Sequence, residues 1–319
     1  MAYRILITAP CISDSGMQLL KARNVTVDTM PLGSSPDAVA EKVKLFQPDG
    51  IISRTSIIDA TTLALAHNLK AISKHGTGVD NIDIKTATTM GIPVACTFGV
   101  NAQSVAEHTA ALMLTVGKHL VNIDIATKQG LWPRSSFIGM EFHGRTLGLL
   151  GYGEIASKFA AIARGIGMKI VAYSPSISRG NIPPGVEAAE SLQALFSFSD
   201  VISLHCPLNE NTRNLINADL IKLMPKTGII INTSRGAIIK ETDLINALNN
   251  KLIAGAALDT FEVEPLPSNS PFFSMSNVVI TPHLASATIE AREKVSIEAV
   301  NNLFALLDGT SLPKRNMVT

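Results

Sequence analysis

The stretch Arg145-Thr146-Leu147-Gly148-Leu149-Leu150-Gly151-Tyr152-Gly153-Glu154-Ile155-Ala156 decides the fold. A short apolar run ends at Gly151, and from Glu154 to Ala163 the residues Ile155, Phe159 and Ile162 recur on one helical face. Strand, tight turn and helix in that order are the setting a dinucleotide-binding glycine fingerprint requires. Gly151 permits the turn, Gly153 lets the backbone approach a pyrophosphate, and Ala156 stands where a small residue lets helix and strand pack. Tyr152, Glu154 and Ile155 complete the turn that would hold the anion on a helix N-terminus, where unpaired N–H groups and the dipole favour negative charge. An ordinary glycine-rich turn is the alternative reading, and the flanking pattern argues against it.

The next β-type run, Met168 to Tyr173, ends about twenty residues beyond the first glycine, where NAD-binding chains carry an acid for the ribose 2′-OH. Here that position is Ser174, followed by Pro175, Ser176, Ser178 and Arg179. Hydroxyls and a guanidinium suit a 2′-phosphate that a carboxylate would repel, so NADP is expected over NAD.

Further short β-type runs flank this unit: Val201–His205, Gly228–Asn232, Ile253–Leu258 and Val278–Thr281, with helices starting near Ser191, Ala218 and Glu241. An earlier series, Arg4–Thr8, Val25–Thr29, Gly50–Ser53, Ala71–Lys74 and Pro93–Ala95, alternates with helical stretches such as Pro36–Phe46 and Thr61–His67. Alternation of this kind predicts α/β architecture with two doubly wound parallel-sheet lobes. One long helix is expected over Ser104–Lys128, with Ser104 as N-cap and Glu107 at capping-box spacing, and a final amphipathic helix over about Thr288–Leu307. The expected domains are 1–100 with 286–319, and 101–285.

Two domains suit a chain of 319 residues, and 46% apolar residues suffice for two cores. A net charge of +1 leaves no field for nucleic acid or membrane, so an acidic ligand must be met by local charges. Cys11, Cys96 and Cys206 are scattered, without disulfide or zinc spacing, and no metal site is expected. The N-terminus lacks the regions of a signal peptide and no apolar run reaches membrane length, so a cytoplasmic location is expected.

Three residues carry the chemistry. Arg235, Glu264 and His283 each follow a β-type run near the same predicted sheet edge, and a guanidinium, carboxylate and imidazole together can hold a keto acid and pair proton transfer with hydride transfer. Surface charge, or an imidazole satisfied in the core, is the plainer reading for each taken alone.

Lys74-His75-Gly76-Thr77-Gly78-Val79-Asp80-Asn81-Ile82-Asp83, Gly151-Tyr152-Gly153-Glu154-Ile155-Ala156, Asn232-Thr233-Ser234-Arg235-Gly236, Ala257-Leu258-Asp259-Thr260-Phe261-Glu262-Val263-Glu264-Pro265 and Thr281-Pro282-His283 together resemble the D-isomer-specific 2-hydroxyacid dehydrogenases. The similarity runs in unbroken order from about residue 4 to 310 and is nearest to the phosphoglycerate dehydrogenase and hydroxypyruvate/glyoxylate reductase branch. It implies a Rossmann dinucleotide-binding domain inserted into a flavodoxin-like substrate domain. It makes Arg235 the clamp on the substrate's carboxylate and carbonyl, His283 the acid/base and Glu264 its orienting partner. Asp259 would contact the nicotinamide carboxamide, Thr233 would lie along the cofactor, and His205-Cys206-Pro207 would line its site. Backbone N–H groups of Gly76-Thr77-Gly78 would cradle the carboxylate, with the lobes closing over the substrate.

Arg54 and Lys74 stand where the phosphoglycerate branch carries basic residues, while His75 departs from the small residue usual beside the loop. No regulatory domain is expected after the last helix. A small 2-keto acid such as glyoxylate or hydroxypyruvate is therefore the expected substrate, with D-3-phosphoglycerate dehydrogenase as the alternative. Corepressor-like interaction proteins that sense NAD(H) share this fold, and only turnover separates them from enzymes. The apolar residues Trp132, Pro133, Phe137, Ile138 and Met140, within an arm from about 117 to 143, predict a homodimer interface.

Overall fold

The computed structural model describes residues 2–178 and 180–319. The chain divides into two compact units, Met1–Asn101 with Ala287–Thr319, and Ala102–Ser286.

In the first unit β1 (Arg4–Ile7), α1 (Asp14–Ala22), β2 (Thr26–Thr29), α2 (Pro36–Phe46), β3 (Gly50–Ser53), α3 (Ala60–Leu65), β4 (Ala71–Lys74), α4 (Ile84–Thr89) and β5 (Val94–Cys96) alternate in sequence. The strands form one parallel sheet in the order β2-β1-β3-β4-β5, the flavodoxin-like arrangement. Helices start where the sequence supplies a cap. Ser13, Ser35, Asp59 and Asp83 each accept a backbone N–H from the first turn of α1, α2, α3 and α4, and Pro36 takes the first position of α2, where its missing N–H costs nothing. β3 and β4 are buried along their whole length, as parallel strands covered on both faces must be.

The second unit comprises α5 (Ala102–Gly117), α6 (Leu120–Lys128), β6 (Thr146–Leu150), α7 (Glu154–Gly165), β7 (Lys169–Tyr173), α8 (Pro175–Ser178), β8 (Glu187–Ala188), α9 (Leu192–Phe198), β9 (Val201–Leu204), α10 (Ala218–Ile221), β10 (Ile229–Asn232), α11 (Glu241–Asn249), β11 (Gly255–Leu258) and β12 (Val278–Ile280). Its seven parallel strands run β12-β11-β10-β9-β6-β7-β8. The order reverses between β6 and β9, so the glycine turn after β6 lies at the switch point where such sheets bind ligands. Phe159, Ala160 and Ala163 of α7 and Met113 of α5 fill the core on one face, and Phe196, Ile221 and Leu244 of α9, α10 and α11 fill it on the other. The last helix, α12 (Ile289–Leu307), capped by Thr288, returns to the first unit, and the tail beyond it donates from Val318 N to the Val94 carbonyl at 2.8 Å.

The single helix expected over Ser104–Lys128 is two helices. Ser104 is buried in the first turn of α5, which begins at Ala102, and the break falls at Lys118–His119. His119 takes a left-handed φ of +55°, and the Gly117 carbonyl accepts Met140 N at 2.7 Å. The chain leaving the arm thus takes the carbonyl at the end of α5, and a residue at positive φ ends the helix.

Candidate active site

All strands of the second unit except the short edge strand β8 deliver a sequence-predicted residue at the carboxyl edge of the sheet. Gly151 follows β6, Ser174 follows β7, His205 follows β9, Thr233 to Arg235 follow β10, Asp259 follows β11 and His283 lies just beyond β12.

At the switch point Gly151 has φ +90°, and a Cβ there would stand 2.7 Å from the His205 carbonyl carbon and from Cys206 N. Only glycine fits both the backbone angle and the contact. Gly153 caps α7, and a Cβ on it would meet nothing within 4 Å. Open space in front of the N-terminal N–H groups of a three-turn helix is what a pyrophosphate needs, so the turn fits a dinucleotide. Ala156 is fully buried against the sheet.

His205 points back into the fold, with Nε2 2.9 Å from Ser203 Oγ, and burial drives its imidazole down to about 3. The Cys206 thiol is pushed up to about 11 by burial, and the Cys206 carbonyl accepts Ser234 Oγ at 2.6 Å. Exposed Pro207 follows, and the Thr233 hydroxyl lies 2.9 Å from that of Thr109. These side chains bond within the fold at the carboxyl edge of the sheet. Ser174 is buried at the end of β7, its hydroxyl 3.0 Å from Ser176 Oγ and accepting Ile177 N at 3.4 Å. Arg179 lies outside the described residues.

His283 and Glu264, the expected acid/base and its partner, are in contact. His283 Nδ1 lies 2.7 Å from Glu264 Oε2, and Glu264 Oε1 accepts the Phe261 N–H at 3.0 Å. Burial works to raise the Glu264 carboxyl, but the His283 bond, the Phe261 N–H and the charges of His283 and Arg235 together hold it below the ordinary value. Glu264 is thus ionised across the neutral range and suits a proton on Nδ1, which leaves Nε2 as the ring nitrogen that Glu264 does not engage. The His283 side chain is 49% exposed, so that nitrogen can be reached. Arg235 sits on a turn tied by Asn232, whose Nδ2 donates to the Arg235 carbonyl at 2.9 Å while its Oδ1 accepts Ser234 N at 3.0 Å. Arg235 Nη1 donates to the Ser234 carbonyl at 2.8 Å.

Asp259 is fully buried, and its carboxylate accepts Leu284 N and Ala285 N, both at 2.9 Å, and the Thr281 hydroxyl. Its backbone carbonyl accepts His283 N at 2.8 Å. His283 has a left-handed φ of +52°, unusual for a side chain with a Cβ, and Asp259 brackets it from both sides. The sequence carried no sign of this second service by Asp259, because the bonds run to backbone groups. Asn232 was missed for the same reason, and Thr281 because its hydroxyl bonds the Asp259 carboxylate from a distant part of the chain.

In the first unit Gly76 has φ +140°, and its N–H is already used by Thr97 Oγ1 at 3.1 Å and the Lys74 carbonyl at 3.0 Å. Thr77 Oγ1 lies 3.4 Å from the Thr97 carbonyl, and Gly78 follows in the same turn. Lys74 is buried, its ammonium donating to the Arg54 carbonyl and to Asn81 Oδ1, so it ties the loop after β3 to β4. Arg54 is half-buried, and burial together with the nearby Arg292 guanidinium lowers its pKa. His75 Nε2 lies 2.9 Å from Ser296 Oγ on α12. Burial, aided by Arg54 and Arg292, pushes the His75 imidazole down to about 4.

His75 must therefore fold neutral. Between pH 6.5 and about 4 the unfolded chain binds a proton at His75 that the folded one does not, so stability is full above 6.5 and is lost as pH falls. The loss approaches about 3 kcal/mol at the acid end. His75→Gln, which keeps a donor for Ser296, is expected to flatten the fall of the thermal midpoint over that range. An unchanged slope would show that His205 or another group carries it.

No helix among the described residues is long and apolar enough to cross a membrane, and no group of His, Cys, Asp and Glu among them could hold a metal.

The sequence profile of the D-isomer specific 2-hydroxyacid dehydrogenase NAD binding domain matches residues 110–285. A glyoxylate reductase of Aeropyrum pernix is 40% identical over 266 residues, 81% of this chain and 79% of that protein. A hydroxypyruvate reductase of Thermotoga maritima is 36% identical over 95% of this chain and 97% of its own length. A D-3-phosphoglycerate dehydrogenase of Synechocystis is 37% identical over 98% of this chain, which spans 55% of that longer protein. With the glycine turn at the switch point and the paired His283 and Glu264 beside Arg235, these matches establish that the chain belongs to the D-isomer-specific 2-hydroxyacid dehydrogenases.

Proposed function

We propose that this protein reduces a small 2-keto acid of the glyoxylate or hydroxypyruvate type to the D-2-hydroxy acid, with NADPH preferred to NADH. The observation that carries the reading is the 2.7 Å contact of His283 Nδ1 with Glu264 Oε2. A carboxylate on one ring nitrogen stabilises the imidazolium and leaves the other N–H to donate. The bound reduced nicotinamide supplies the hydride. As negative charge grows on the keto oxygen, Nε2 of His283 gives it a proton and is left neutral, while the Arg235 guanidinium holds the carboxylate and stabilises the same oxygen. In the oxidative direction neutral Nε2 takes the hydroxyl proton.

A panel of keto acids assayed with each cofactor at 340 nm tests this. Dinucleotide binding without turnover of any of them would favour an NAD(H)-sensing interaction protein instead. The neighbouring guanidinium charges of Arg54 and Arg292 support 3-phosphohydroxypyruvate as a second reading. Against it, the Lys74 ammonium is consumed inside the fold.

The cofactor preference rests on the absence of a carboxylate at the end of β7, where Ser174 stands. Ser174→Asp would accept from a 2′-OH and repel a 2′-phosphate, so the ratio of kcat/KM values is expected to move toward NADH by about tenfold or more. An unmoved ratio would place the ribose elsewhere.

A homodimer fits the uncovered arm. Helix α6 buries none of its residues, and Trp132 and Ile138 are 81% and 87% exposed, more apolar surface than a monomer ordinarily leaves in one patch. Phe137 and Met140 are partly buried within the unit itself. Sedimentation at micromolar concentration should give the dimer mass, and a monomer would contradict the reading. Free Cys11, Cys96 and Cys206 suit a reducing cytoplasm.

A further inference from the structure

Glu241 belongs to none of the groups assigned so far. It opens α11, is half-buried, and its Oε1 accepts the backbone N–H of Glu262. Glu262 lies in the loop after β11 that also carries Glu264. That loop crosses the turn bearing Arg235 backbone on backbone: a Cβ at Gly236 would stand 1.8 Å from the Phe261 carbonyl carbon and 2.4 Å from Glu262 N, so any side chain there would drive the two segments apart. From this crossing Glu264 folds back, with Oε1 on Phe261 N and Oε2 on His283 Nδ1. Where the Glu264 oxygens lie therefore depends on where residues 261 and 262 are held, and Glu241 holds Glu262 through its backbone N–H.

An acid in the first turn of a helix commonly serves only the helix dipole. Such an acid gains nothing from burial or from bonding the backbone of another loop, and Glu241 does both. Burial raises its carboxyl, the Glu262 N–H opposes this, and the negative charges of Glu262 and Glu264 raise it further. Its neighbours in sequence, Lys240 and Asp243, pair with each other at 3.2 Å, while the charges of Arg235 and His283 act on Glu264.

We infer that Glu241 is a positioning residue for the His283–Glu264 pair, pinning through the Glu262 N–H the loop from which Glu264 reaches the imidazole. The inference rests on the reading of that pair as the acid/base.

The test compares Glu241→Ala and Glu241→Gln with the parent and with His283→Ala, in the full chain, by kcat, KM, cofactor Kd and the pH profile of keto-acid reduction. Glu241→Ala removes the acceptor and is expected to lower kcat about tenfold with KM and cofactor Kd within about twofold. Glu241→Gln keeps an acceptor for Glu262 N and should recover most of that loss. Having lost a negative charge near the imidazolium, it should also begin to lose activity at lower pH as pH rises. If Glu241→Ala fails to fold, the pH profile of Glu241→Gln against the parent still decides. Parental kcat in Glu241→Ala, a Gln variant as impaired as the Ala variant, or an unmoved profile in the Gln variant would each overturn the inference while His283→Ala stays inactive. Turnover retained by His283→Ala would overturn the acid/base reading, and this inference with it.

Discussion

His283→Ala is expected to lower kcat for keto-acid reduction by about 10²–10⁴-fold, with kcat/KM falling by a similar factor. On the proposed mechanism the imidazole meets the substrate oxygen when that oxygen acquires charge, so its loss should be felt in the transition state. On the proposed reading the dinucleotide rests on the glycine turn and the N-terminus of α7, so cofactor Kd, read by nucleotide fluorescence, should stay near the parental value. Glu264→Gln should fall between the two. It keeps an oxygen for Nδ1 but gives up the charge that the His283 and Phe261 bonds hold in place. Parental turnover in His283→Ala would remove the residue from the mechanism.

Arg235→Gln is expected to lower kcat/KM by roughly 10²–10³, with the loss in both kcat and KM. A guanidinium can hold a carboxylate through paired N–H groups and still direct charge at the reacting oxygen, and glutamine offers one neutral donor. The turn beneath is fixed by Asn232 independently of the side chain, so thermal stability should change little. Arg235→Lys keeps the charge without the planar fork and is expected to recover only part of the loss. The Arg235 charge also helps keep the Glu264 carboxyl low, so Arg235→Gln should shift the acid limb of the pH profile upward as Glu264 becomes easier to protonate. An effect confined to KM would mean that Arg235 binds the ground state only.

Much of the fold was legible because local rules and tertiary packing agreed. The apolar run expected to end at Gly151 and the expected helix Pro36–Phe46 match β6 and α2, one bounded by glycine and the other by a serine cap and proline. The alternation of strands and helices implied two parallel sheets, and both are present. The long helix over Ser104–Lys128 failed where a tertiary contact intervened, Met140 taking the Gly117 carbonyl, and β8 is too short to leave a pattern.

At the site, residue types pointed to Arg235, Glu264 and His283, and the resemblance gave them roles. The contact between the last two follows from loops whose paths spacing does not encode. Lys74 shows the limit from the other direction: a lysine beside a presumed ligand loop reads as a ligand, yet its ammonium closes the chain around Asn81. The bonds of Asp259 around His283 and of Glu241 to Glu262 were illegible because they run to backbone N–H groups of distant segments.

The central claim is that hydride and proton are delivered to a 2-keto acid at the carboxyl edge of the seven-stranded sheet. Incubation with NADPH and hydroxypyruvate, followed at 340 nm and by chiral analysis of the product, tests it most directly. One D-glycerate formed for each NADPH consumed, and neither change with His283→Ala, is the predicted result. No oxidation of bound NADPH, an L product, or equal rates in parent and variant would contradict it.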